Sequence, residues 1–327
     1  MAENIKQSIT ELVGHTPLLR LSNFEKKHGL QAEIVVKLEY YNPNQSVKDR
    51  IALAMIENAE KSGLLKAGDT IVEATSGNTG IGVGAIAVAK GYKFRIYIQD
   101  NVSEERFKVI RAFGGEVIKL TEEPELKEVF EKTGGDFIAV LTKLKETLEK
   151  QENVFYVNQI ENPNNPKAHE TTTGPEIWQD TNGRVDYLVA CVGTGGTISG
   201  TGKYLKSKNP DLKVVAIQPT KSSIATAENP NVEEITGVHP FEGVPEKFIP
   251  QTFDRTIYDE YAEVETQQAF EIVREVAKTD GILIGTSSGA SIYTALQIAK
   301  RPENKGKRIV AIVPDTGLRY LSTPLFE

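Results

Sequence analysis

The sequence predicts an α/β fold built on mostly parallel sheets. Short β-branched runs alternate along the chain with longer segments of helical periodicity, and the short runs are almost continuously apolar. Strands covered by helices on both faces carry that signature, whereas strands with one wet face alternate polar and apolar residues. The length of 327 residues suggests two domains, at about 150 residues per domain.

Seven strands are expected in order: 33–38 (EIVVKL), 70–74 (TIVEA), 94–99 (FRIYIQ), 116–120 (EVIKL), 187–192 (YLVACV), 213–218 (KVVAIQ) and 308–313 (RIVAIV). Between the first two, residues 49–62 place Ile51, Ala52, Met55, Ile56 and Ala59 on one helical face, and Gly63 supplies a stop. The charged stretch 121–152 reads as surface helices divided at Gly134-Gly135, with Leu141, Leu144 and Leu148 at helical spacing. A domain boundary is expected near Gln151, where that stretch ends.

Composition removes several function classes. Thirty-eight basic against 45 acidic residues leave a net charge of −7, which argues against nucleic-acid binding. A single cysteine, Cys191, excludes a disulfide framework and a cysteine zinc cluster, and suits a reducing cytoplasm. It lies in an apolar strand and reads as a buried core residue. The N-terminal segment has no signal-peptide pattern, and the longest apolar run, Ile81 to Ala89, is too short to span a bilayer. His15, His28, His169 and His239 have no metal-ligand spacing, so no metal site is expected.

Three segments carry chemistry. Gly193-Thr194-Gly195-Gly196-Thr197 follows the strand YLVACV and opens a helical pattern. In such a turn backbone N–H groups converge on an anion, the helix end adds partial positive charge, and phosphate is the usual occupant. Ile198, Thr197 and Tyr204 break the dinucleotide and P-loop patterns there. Thr75-Ser76-Gly77-Asn78-Thr79 gathers small hydrogen-bond donors between a strand and a helix, which suits a carboxylate; helix capping would explain one of them but not all. Lys48 lies in the first turn of a helix, with Ser46 a candidate N-cap and Asp49 its capping-box partner. A cation there opposes the helix dipole, which favours the neutral amine that a nucleophile needs. On its own Lys48 reads as a surface lysine; with the two loops it becomes a candidate for Schiff-base chemistry.

A rival pattern, Gly80-x-Gly82-x-x-Ala85 with Asp100 ending the next strand, matches a loose NAD fingerprint. Its first glycine stands too far beyond the strand end at Ala74, so these glycines are expected inside a helix, packing it closely. An NAD-dependent oxidoreductase remains a distant alternative.

These residues together resemble the cysteine synthase and cystathionine β-synthase family of pyridoxal-phosphate enzymes. The resemblance runs from Gly14-His15-Thr16-Pro17-Leu18 to the segment starting Pro314-Asp315-Thr316-Gly317. It implies the two-domain fold of tryptophan-synthase-β-like (fold type II) enzymes, each domain with a parallel sheet. The large domain would be residues 1–44 plus 151–327, and a smaller substrate-clamping domain, 45–150, would be inserted in it. Lys48 would hold pyridoxal 5′-phosphate as a Schiff base, Gly193–Thr197 would cradle its phosphate, and Asn78 would bond its ring hydroxyl. Ser287, in Gly285-Thr286-Ser287-Ser288-Gly289, would face the pyridine nitrogen. Thr75, Ser76 and Thr79 would hold the substrate carboxylate, with Gln159 closing over it. A neutral serine at the nitrogen makes a weaker electron sink than an aspartate pairing would, which favours β-elimination and replacement.

The implied reaction forms L-cysteine from O-acetyl-L-serine and sulfide through an α-aminoacrylate. The resemblance also implies a cytoplasmic homodimer, and docking of a serine acetyltransferase tail. Two departures are visible. The family's short Gly-Ile-Gly segment before Phe-Ile-Pro is longer here, at 237–250, and brings in His239 and Glu242. The stretch 121–152 is also longer than usual. The first departure motivates the nearest alternatives, a cystathionine β-synthase-like enzyme or a sulfide-releasing cysteine lyase. A catalytically silent binding homologue is a further option, against which Lys48 weighs.

Overall fold

Apolar residues on both faces of the central strands demand two covering layers, and the computed structural model supplies them. It describes residues 5–75, 77–99, 104–226 and 229–327, with 104–106 as backbone alone. In chain order the elements are β1 (Leu18–Arg20), α1 (Ser22–Lys27), β2 (Glu33–Leu38), α2 (Lys48–Ser62), β3 (Thr70–Ala74), α3 (Asn78–Ala89) and β4 (Lys93–Ile98). Then come α4 (Glu104–Ala112), β5 (Glu116–Lys119), α5 (Pro124–Lys132), α6 (Phe137–Leu148), β6 (Val154–Tyr156), α7 (Asn164–Thr171) and α8 (Thr173–Asp180). The chain continues with β7 (Tyr187–Cys191), α9 (Gly196–Lys208), β8 (Lys213–Pro219), β9 (Glu260–Val264), α10 (Thr266–Thr279), α11 (Thr286–Ala299) and β10 (Arg308–Val313).

Two compact units divide this chain: Met1–Val13 with Lys48–Asn164, and Gly14–Val47 with Asn165–Glu327. The first contains the four-stranded parallel sheet β5-β4-β3-β6. It runs past position 150 because β6, at 154–156, pairs with β3. Val72 and Ala74 of β3 are buried in one cluster with Leu126 of α5 and Val140, Leu141, Leu144 and Leu148 of α6. The stretch expected as surface helices is therefore the layer that covers this face of the sheet. Its charges lie on the opposite, wet side, which is the side the composition advertises.

The second unit contains the six-stranded sheet β1-β2-β10-β7-β8-β9, parallel except for the edge strand β1. Alternation along β10 displays both faces. Ile309, Ala311 and Val313 join one apolar cluster with α10 and α11, while Val310 and Ile312 join another with Ile177, Ile198 and Leu205. Strands β1, β6 and β9 escape the sequence reading. Two are only three residues long, and β9 (EYAEV) lies at an edge with a half-wet face. In β2, Lys37 stands among apolar neighbours and is fully buried; Nζ donates to the Thr16 carbonyl oxygen and pairs with Glu176 at 2.8 Å. A buried ammonium persists only when so compensated.

Candidate active site

Parallel sheets bind ligands outside the carboxyl ends of their strands, where the winding direction reverses. In the first unit β3, β4 and β5 proceed to one side and β6 returns on the other side of β3. Loops from the ends of β3 and β6 therefore meet at the reversal. They carry Thr75 to Thr79 and Gln159. Thr79 Oγ1, in the first turn of α3, donates to Gln159 Oε1 at 2.7 Å, joining two expected carboxylate-binding residues 80 positions apart. Gly77 is the cap residue of α3 and has no side chain to cap with, so capping does not account for the donors around it. The Thr75 N–H donates to the Tyr97 carbonyl oxygen at 2.8 Å, and Asn78 is the first helical residue. Ser76 and Asp100 lie outside the described residues.

The Gln159 loop is held tightly. Asn158 takes a left-handed conformation at φ 51°, and the N–H groups of Glu161 and Asn162 return to its carbonyl oxygen. Below this loop sits a group that the sequence reading missed. Glu73 of β3 is buried, with 1% exposure; Oε1 accepts the Ala74 N–H at 2.8 Å and Oε2 accepts the Gln159 N–H at 3.1 Å. Desolvation raises its carboxyl to about 8, against the pull of these two N–H groups and of the Lys48 charge. On β6, the Tyr156 hydroxyl is pushed well above its usual range, first by burial and then by the charges of Glu73 and Glu161.

The Glu73 shift has a sign. The folded chain keeps a proton up to about pH 8 that the unfolded chain releases near 4.5, so stability falls as pH rises between those values and levels off above them. At pH 7 the loss is roughly 3 kcal/mol. Glu73→Gln is expected to abolish this slope, its stability advantage over wild type growing from pH 5 to 8. Denaturant unfolding at several pH values measures it, and a pH-independent difference would rule out a buried titrating carboxyl.

Lys48 is the first residue of α2, as expected for a first-turn lysine. Ser46, however, stands one residue ahead of the cap position and pairs with Asp315 in an isolated antiparallel bridge. Gly80 and Gly82 lie within α3, where a Cβ on Gly82 would meet the Lys48 carbonyl oxygen at 3.1 Å. They serve helix packing, and the loose dinucleotide pattern has no strand-to-helix turn to occupy.

In the second unit the winding reverses between β7 and β10, and the loop Gly193–Thr197 leaves the end of β7 at that point. Gly195 is the N-cap of α9 at φ +76°, a conformation that glycine adopts without strain. A Cβ on Gly196 would collide with Asn165 Oδ1, and one on Gly193 with the Gly237 carbonyl oxygen. Around the loop, Asn165 Nδ2 donates to Thr194 Oγ1 at 3.1 Å and Thr252 Oγ1 donates to the Thr194 carbonyl oxygen at 2.7 Å. Thr197 Oγ1 bonds His169 Nε2 at 3.2 Å. The helix behind the loop has 13 residues, and its first amides have no acceptor within the helix. A narrow cradle of glycines and hydroxyls at such a helix end fits a phosphate monoester. Nothing local in the sequence marks Asn165, His169 or Thr252 as its supports.

Ser287 lies in the first turn of α11, against the end of β7: Cys191 Sγ donates to the Ser287 carbonyl oxygen at 3.3 Å. Cys191 is thus the terminal, half-buried residue of its strand rather than a fully buried core residue. Burial nonetheless pushes its thiol up to about 12. Because the thiolate is the reactive form, labelling at pH 8 is expected to be roughly 10³-fold slower in the folded protein than after denaturation. Equal rates in the two states would contradict that desolvation.

The longer segment 237–250 packs beside both turns. The His239 N–H donates to the Val192 carbonyl oxygen at 2.8 Å, the Thr236 N–H to Thr286 Oγ1 at 3.0 Å, and Val238 and Phe241 are buried. Glu242 accepts from Arg255 at 3.0 Å and from the Tyr258 hydroxyl, so this departure is tied into the fold by its own ion pair. Among the described residues, no group of three or more His, Cys, Asp and Glu side chains could hold a metal ion, and no helix is long and apolar enough to cross a membrane.

The chain is 44% identical, over its whole length and 99% of the relative's, to a cysteine synthase of Staphylococcus aureus. Its structure resembles that of a hydrogen sulfide-producing enzyme from Fusobacterium nucleatum, with TM-score 0.83 and 39% identity over 98% of this chain and 99% of the other. It also resembles a cysteine synthase from Entamoeba histolytica, with TM-score 0.83 and 38% identity over 100% of this chain and 92% of the other. Residues 9–315 match the family described as pyridoxal-phosphate dependent enzyme, the cofactor whose phosphate the glycine cradle fits. The chain belongs to the pyridoxal-phosphate dependent enzymes.

Proposed function

We propose that the chain forms L-cysteine from O-acetyl-L-serine and sulfide by β-replacement, releasing acetate. The observation that carries this reading is the Thr79–Gln159 pair at the winding reversal of the first unit, which offers an amino-acid carboxylate a polar seat. The identity to a cysteine synthase over the whole chain supports the choice of reaction.

In this reading Thr75, Ser76, Thr79 and Gln159 hold the carboxylate. Gly193–Thr197 would hold the cofactor phosphate, Asn78 its ring hydroxyl and Ser287 its pyridine nitrogen. Bound pyridoxal phosphate supplies an electron sink for the carbanion at the substrate Cα. Lys48 Nζ would hold the cofactor, and as a free amine it would take the Cα proton as general base. Acetate then departs from Cβ, sulfide bonds there, and Lys48 Nζ returns the proton to Cα. The same reading includes a cytoplasmic homodimer and docking of a serine acetyltransferase tail, both resting on the family likeness.

The likeness to a hydrogen sulfide-producing enzyme sets the alternative of sulfide release from cysteine. A substrate panel on the purified holoenzyme separates the two. O-acetylserine with sulfide is expected to turn over at least about tenfold faster than cysteine alone or serine with homocysteine. Faster sulfide release from cysteine would overturn the synthetic reading.

A further inference from the structure

We propose that Glu73 is a positioning residue of the carboxylate clamp, holding the Gln159 main chain so that its side chain stays on Thr79. The inference rests on the functional reading above for the role of Gln159, and adds a residue that makes no direct substrate contact in that reading.

The geometry is a relay within the first unit. Glu73 is fixed in the second-last position of β3, and its two oxygens accept the N–H groups of Ala74 and Gln159 at 2.8 and 3.1 Å. The first of these amides belongs to the strand that leads into the Thr75 loop. The second belongs to the residue whose side-chain oxygen accepts from Thr79 Oγ1 at 2.7 Å. One carboxyl therefore ties together both loops that form the clamp. A carboxyl at a position that is 1% exposed is costly to bury unless its hydrogen bonds accomplish something that an apolar residue could not. Leucine or isoleucine would suit the apolar run TIVEA better for packing alone. Lys48, at the start of α2, supplies the cationic field that partly offsets burial, and the Tyr156 hydroxyl on β6 is pushed up by burial and then by the charges of Glu73 and Glu161.

Glu73→Gln keeps the volume but places an amide where one of the two acceptors stood. Three measurements on the wild type, Glu73→Gln, Gln159→Ala and the double variant test the relay. First, amide exchange of the peptide covering 157–162 is expected to quicken about tenfold in Glu73→Gln; an unchanged rate overturns the proposal. Second, KM for O-acetylserine is expected to rise about tenfold while kcat changes less than about threefold; faster exchange with an unchanged KM overturns the clamp role. Third, the double variant is expected to match Gln159→Ala in KM, because Glu73 acts through Gln159; additive losses overturn the relay. If no amino acid binds the wild-type holoenzyme, the functional reading fails separately, and the exchange rate alone decides whether Glu73 holds Gln159.

Discussion

Lys48→Ala is expected to lower turnover at least about 10⁴-fold, since general-base catalysis alone contributes up to about 10⁴ and the attachment of the cofactor is lost with it. The wild-type holoenzyme should be yellow, and borohydride should leave the cofactor covalently attached to the peptide that contains Lys48. The variant should bind pyridoxal phosphate without forming that linkage. Lys48→Arg separates chemistry from charge: it keeps the cation at the start of α2 but cannot deprotonate, and it is expected to be equally inactive. Activity above about 1% of wild type in either variant would remove Lys48 from the centre of the reaction.

The second large effect lies in the phosphate cradle. In Gly196→Ala the new methyl group would meet Asn165 Oδ1, and Asn165 is itself buried and donates to Thr194. Overpacking of that kind costs about 1–3 kcal/mol, and displacement of the loop should weaken pyridoxal phosphate binding by about 100-fold, or roughly 3 kcal/mol. Titration of the apoenzyme with pyridoxal phosphate and with pyridoxal gives the control. The loss should be confined to the phosphorylated form, since pyridoxal never reaches the cradle. An equal loss for both would mean that the substitution damages the fold at large.

How far the sequence foretells this molecule depends on how local each feature is. The phosphate loop is legible because strand, glycine turn and helix follow one another within some 20 residues, and the structure keeps them in that order. Lys48 is legible as a first-turn residue, although the helix starts without Ser46 at its cap. What escapes is whatever depends on a partner far along the chain. Asn165 reads as one more polar residue in a polar stretch until Gly196 is folded against it. Glu73 passes unnoticed as a lone charge in an otherwise apolar strand until β6 and the Gln159 loop close over it. Lys37 hides in β2 for the same reason, since its partner Glu176 lies on another element. Residue type announces chemistry, but only long-range packing decides whether a charge ends up in water or in the interior.

The strand order of the six-stranded sheet has a consequence for biosynthesis. β10 sits between β2 and β7, so Arg308 pairs with Glu33 across 275 positions. At translation rates of about 5–20 residues per second, β2 waits roughly 15–55 s for the neighbour that completes it. During that interval β2, and β7 once it has been made, present open apolar edges, which are templates for pairing with other chains. The four strands of the other sheet lie between Thr70 and Tyr156 and are all synthesised before β7 begins at Tyr187. A chain cut off after Val264 and before Arg308 would thus have every strand of the smaller sheet while the larger one stays split, a natural client for chaperones and proteases.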